Sequence, residues 1–165
     1  MSARPDPAAW KEISDCGPWW TAFTDRYGFR PGVDPSTWPA IREPVGSVTF
    51  DLSPVWSDSS VSAAKVDEAV LLACQTVCGA EEFMVVLDWQ HHCYDFWPHR
   101  FTARPGQTWP VPPTPDGDYF LFLAQDMSQG SFGHPWERSL CVFGAEFTAA
   151  VVPALASLLP VLRRG

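Results

Sequence analysis

Three of the four histidines and two carboxylates fall within twelve residues, Asp88-Trp89-Gln90-His91-His92-Cys93-Tyr94-Asp95-Phe96-Trp97-Pro98-His99. An imidazole titrates near neutral pH, and a carboxylate beside it fixes its orientation, so His91, His92 or His99 with Asp88 or Asp95 could move protons. A group of this kind contributes roughly 10² to 10⁴ in rate. If Tyr94 to Phe101 is a strand, Asp95, Trp97 and His99 share a parity and project to one side. The same residue types can ligate first-row metals. Their spacing matches no ligand motif, however, and adjacent His91 and His92 tend to point apart, so no metal is expected. The competing reading is structural: a polar hairpin whose histidines bond to backbone.

A second constellation is Gly130-Ser131-Phe132-Gly133-His134-Pro135-Trp136-Glu137, which puts His134 and Glu137 around a tryptophan. Read as a loop beside the last strand of an antiparallel sheet, it could face the hairpin and bring His134 and Glu137 toward His99. Placement at the opposite end of the sheet is the alternative. Cys93 stands beside His92, but adjacency in sequence does not set the geometry of a thiol–imidazole pair. No phosphate-cradling loop, nucleophile elbow or dinucleotide fingerprint occurs.

Nine tryptophans exceed what a core of this size needs. Trp89, Trp97, Trp109 and Trp136, with Tyr94, are therefore candidates for the walls of a substrate pocket, although large rings also fill cores in proline-rich chains.

The elements that must position these groups read as follows. Pro7 to Asp15 is predicted as a short amphipathic helical segment, with Trp10 and Ile13 three apart. Pro18 to about Tyr27 is a second helix, with Trp19, Phe23 and Tyr27 at four-residue spacing and Gly28 closing it. Alternation marks Ser47 to Leu52 as a strand with Val48, Phe50 and Leu52 on one face. The strongest helix runs from about Ser60 to Cys78 on a stripe of Val66, Val70, Ala73 and Val77. Phe83 to Trp89 and Tyr94 to Phe101 form an antiparallel hairpin. Arg104 to Pro115 is loop, Asp118 to Ala124 is a covered central strand, and Ser139 to Phe143 is the last strand. Ala145 to Leu162 is helical in pattern, with Pro153 expected to kink it or start a second helix. That order predicts a single α+β domain over residues 1–165. Its sheet is mostly antiparallel, of about four or five strands, with N-terminal short helices, one central helix and a C-terminal helix packed on it.

Composition narrows the partners. Eleven Lys and Arg against nineteen Asp and Glu give a formal charge of −8, which repels phosphate backbones and anionic lipid, so neither nucleic acid nor membrane is an expected partner. The first thirty residues hold charges and prolines and no apolar run resembling a signal peptide, which points to the cytoplasm. Cys16, Cys74, Cys78, Cys93 and Cys141 are odd in number and scattered, which does not suggest a disulfide framework.

Asp88-Trp89-Gln90-His91, Tyr94, Phe96, Pro98-His99, Asp116-Gly117-Asp118-Tyr119, Phe122-Leu123-Ala124, and the stretch from Phe132-Gly133-His134-Pro135-Trp136-Glu137 to Gly144 resemble a bacterial family known only as a domain of unknown function, family 2716. The resemblance covers most of the chain from about Trp38 onward. It implies a bacterial, soluble, single-domain protein and carries no activity. His92-Cys93 departs from the pattern, which would have a proline there.

Two functions fit. One is a small, cofactor-free enzyme that binds a largely apolar small molecule among Trp89, Trp97, Trp109 and Trp136. His99, His134, Asp95, His91 and Glu137 would be its acid–base groups, for a dehydration, isomerisation or cyclisation. The other is an acidic binding module of the immunity type, gripping a basic protein partner through exposed tryptophans, or a homodimer.

Overall fold

The computed structural model describes residues 8–57, 60–104 and 107–165. In chain order its elements are β1 (Trp10–Ile13), α1 (Gly17–Tyr27), β2 (Val48–Asp51), α2 (Ser53–Ser57), α3 (Ala63–Val77), β3 (Met84–Asp88), β4 (Cys93–Phe96), β5 (Phe120–Leu123), β6 (Gly130–His134), β7 (Ser139–Phe143), α4 (Ala145–Ala156) and β8 (Val161–Arg164). The α+β class is as expected, but the sheet has eight strands where four or five were predicted. Their order is β1-β4-β3-β5-β6-β7-β2-β8, and every pairing is antiparallel.

Both faces of the sheet are covered. On one, α3 and α4 pack Val66, Val70, Phe147, Val151 and Leu155 against Phe50, Val86, Phe120 and Phe122. On the other, α1 packs Phe23 and Tyr27 against Leu87, Leu121, Phe132 and Phe143. Strand β5 therefore buries both parities, which is why it is apolar throughout.

Local chemistry explains the elements that were legible. Pro18 occupies the first turn of α1, and Gly28 ends it at φ 63° with its N–H bonded to Thr24 O. Ser62 caps α3, its side chain accepting from Lys65 N–H.

Tertiary pairing overrides local pattern in three places. The segment read as an N-terminal helix is strand β1, because Trp10 stacks on Phe96 at 4.0 Å while its backbone joins β4. The glycine-containing stretch read as a loop is β6, fully buried. The first of its two glycines has a packing reason: a Cβ on Gly130 would lie 1.9 Å from Phe122 O across the β5 pairing. The chain does not end on a helix, since β8 returns to add to β2. Helix α4 also runs through Pro153 without splitting.

Finally, Cys16 and Cys93 form a disulfide, correcting the expectation of no such bridge. Cys74, Cys78 and Cys141 are free and buried. No helix of the described residues is long and apolar enough to cross a membrane.

Candidate active site

The four histidines do not meet. His99 lies beyond β4, which stops at Phe96 because Pro98 has no N–H to continue the ladder. A 3-10 turn then carries His99 to the end of α3, where Nε2 reaches the Gln75 and Cys78 carbonyls, 2.8 Å each. There the imidazole satisfies carbonyls that the helix leaves unpaired. His92 is exposed and pairs with Glu12. Asp95 faces Lys11 across the β1 pairing, and burial raises its carboxyl more than Lys11 lowers it. Trp97 lies under the Arg100 guanidinium with its indole N–H on Glu81 O.

His134 is fully buried in β6. Its Nδ1 accepts from Glu137 N–H at 3.1 Å, which leaves the proton of the neutral ring on Nε2. That atom has no partner among the described residues and sits within a box of Trp38, Tyr119, Phe132 and Trp136 rings. Desolvation pushes its pKa down to about 4. Glu137 is engaged by Ser139 at 2.6 Å and by Arg163 at 2.8 and 3.0 Å, and the Arg163 and Ser139 hydrogen bonds hold its pKa low against burial. His134 and Glu137 are thus neighbours, but in a sealed network that also ties in Glu43 through Arg163.

The indoles divide likewise. Trp89 packs on Trp20 and Phe29 of the α1 face, and Trp136 on Tyr119. Trp109 and Tyr94 belong to the α3/α4 face, each in ring contact with Trp10.

Among the clefts that combine titratable groups with open volume, two are attached to the segment leading into β5. The first, of about 260 Å³, is lined by Asp88, His91, Asp116, Gly117, Asp118 and Phe120. His91 Nδ1 lies 3.1 Å from Asp88 Oδ1 and 3.2 Å from Asp118 Oδ2. The hydrogen bond and charge of Asp88, with Asp118 adding to it, raise the His91 pKa, while burial raises Asp88. This His and two Asp could hold a cation, since their ligand atoms lie within 4.8 Å of one another. Without one, the His91 ring sits between the two carboxylates, its Nδ1 within reach of both.

The second cleft, of about 340 Å³, lies between α3 and the residues after β4, lined by Ala64, Asp67, Glu68, Ala103, Arg104, Gln107 and Trp109. Helix α3 holds Asp67 at 6% exposure, and Thr114 donates to its Oδ1 from both N–H and Oγ1, 2.8 Å each. No hydrogen bond to Oδ2 occurs among the described residues, and Asp67 lines the cleft. Burial outweighs the two Thr114 bonds and lifts the Asp67 pKa to about 6. Trp109 is fixed by edge contacts to Phe101 at 4.7 Å and to Phe122 at 6.2 Å.

A carboxyl with a pKa near 6 thus stands in a cleft beside an indole, a perturbed titratable group next to an apolar wall. Trp109 was legible in the sequence and Asp67 was not. The signal it carries is its spacing: Asp67 stands three before Val70 and seven before Cys74, inside the buried face of α3.

A family model described as "Protein of unknown function (DUF2716)" matches residues 13–148. The match begins before Trp38 and takes in α1. The uncharacterized protein YxiI of Bacillus subtilis (strain 168) is 38% identical over 110 residues, covering 62% of this chain and 67% of that protein. No solved structure matches. With a match spanning both clefts and six of the eight strands, the chain belongs to the DUF2716 family of proteins of unknown function.

Proposed function

We propose that the protein is a small, cofactor-free enzyme that acts on a largely apolar small molecule by acid–base chemistry, with Asp67 moving the proton and Trp109 as the wall that holds the substrate. The observation that carries this reading is the buried Asp67 carboxyl. One oxygen is pinned by Thr114, the other takes no hydrogen bond among the described residues, Asp67 lines a cleft together with Trp109, and its pKa lies near 6. Such a group is mostly ionised at neutral pH yet close enough to its pKa to return the proton it takes. Dehydration, isomerisation and cyclisation all take a proton at one atom and deliver one at another, so a single carboxyl serves each. In this proposal the protein works in the cytoplasm.

Incubation with a bacterial metabolite extract in D₂O, followed by ¹H NMR, reads conversion or deuterium incorporation whatever the substrate is. Wild type is expected to act on at least one component, and Asp67→Asn, whose amide oxygen still accepts from Thr114, to act about 10² to 10⁴ times more slowly. Conversion that Asp67→Asn leaves unchanged would sink the assignment.

One observation favours the second reading. Trp56 and Trp136 are 47% and 40% exposed, and the Arg138 guanidinium covers the Trp56 ring. Exposed indoles on a chain of charge −8 suit a basic protein partner better than a second, equally acidic copy. That reading expects no Asp67-dependent conversion, together with retention of a basic partner that Trp56→Ala and Trp136→Ala abolish.

A further inference from the structure

The lining of the Asp67 cleft says which molecules it suits. Carboxylates outnumber guanidinium groups in it, Asp67 and Glu68 against Arg104. Arg104 is exposed and forms no ion pair with either acid among the described residues, so the lining keeps an excess of negative charge. The remaining surface is the Trp109 indole with Ala64, Ala103 and Gln107. A volume of about 340 Å³ is at the small end for ligand sites.

An apolar neutral guest would strip water from Asp67 Oδ2 and give nothing back, which is costly for an ionised group. An anion would face two carboxylates. A primary amine answers both objections: its ammonium group can donate to the carboxylate, and its apolar body can lie on the indole. The net charge of the whole chain adds attraction at long range.

Resting on the reading of this cleft as the active site, we propose that its substrate class is a small primary amine with a flat, largely apolar body, held between the Asp67 carboxylate and the Trp109 indole.

Three isosteric probes decide it: benzylamine, benzyl alcohol and benzoate, titrated at pH 7.5 into wild type and Asp67→Asn. Affinity is read by calorimetry, and location by the Trp109 indole N–H resonance, assigned through Trp109→Phe. Benzylamine is expected to shift that resonance and to bind at least tenfold tighter than benzyl alcohol. Asp67→Asn should erase the tenfold advantage and still bind the alcohol, while benzoate should not bind. The Thr114 amide resonance reports whether the variant keeps the native loop. If benzyl alcohol or benzoate moves Trp109 at an affinity equal to or above that of benzylamine, the amine assignment is overturned and the cleft survives as a ligand site. The same holds if Asp67→Asn leaves benzylamine affinity unchanged. If no probe moves Trp109, the amine assignment and the active-site reading both fall.

Discussion

Asp67 and His134 are buried groups of opposite type, and their effects on stability have opposite signs. Asp67 titrates near 6 in the folded chain against an ordinary 3.8, so between those values the native state binds more protons than the unfolded one. Stability is therefore lost as pH rises through that window, by about 3 kcal/mol for a shift of this size. His134 titrates near 4 against an ordinary 6.5, so between those values the unfolded state binds more protons. Stability is lost there as pH falls, by about 3 kcal/mol. The two slopes nearly cancel in the native protein from about pH 4 to 6. Urea unfolding between pH 4.5 and 7.5 should find stability climbing steeply with pH in Asp67→Asn and declining in His134→Gln. A flat profile in both variants would contradict the two assignments. The gain expected for Asp67→Asn at pH 7.5 is the stability that the native protein forgoes by keeping a carboxylate in its cleft. The histidine-rich segment was visible in the sequence, and its His91 does meet Asp88 there. Asp118 closes the group from 27 residues away, a pairing that no local spacing encodes. His99 was grouped with Asp95 by strand parity, and Pro98 ended the strand before parity could apply.

At the scale of elements, those whose pattern and caps agree were legible: α1, α3, β2, β5, β7 and the β3/β4 hairpin. Besides the short helix α2, the elements missed are strands that tertiary contact decides. Strand β1 is four residues long and is held by β4 and by the Trp10 ring, and β8 exists only as an addition to β2. The bond between Cys16, which precedes α1, and Cys93, the first residue of β4, closes a loop of sequence separation 77. No spacing rule pairs two cysteines so far apart. Loop-closure entropy gives such a bridge about 4 kcal/mol. The Cys16→Ala/Cys93→Ala double variant is accordingly expected to melt about 10 °C below the oxidised protein by calorimetry. A shift under about 2 °C would show that α1 is held by the Phe23 and Tyr27 packing alone.

Over the whole molecule, a sheet covered on both faces sorts the polar groups by side. Asp88 pairs in register with Phe120, Phe120 with Gly133 and His134 with Ser139, so the His91 and His134 clusters share one end of the sheet. They occupy opposite faces of it, and no single site can use both. The chain was long enough and apolar enough for this core, and its class could be read from the order of its elements. The division of the indoles between faces could not, because it depends on the strand order. The proposed function rests on a carboxyl kept near its titration point in a cleft beside the Trp109 indole, and ¹³C NMR titration of the Asp67 side-chain carboxyl measures this directly. A midpoint near 6, with the Trp109 indole N–H shifting in the same titration, is the expected result. A midpoint near the ordinary 3.8, or a Trp109 signal that ignores it, would contradict the central claim.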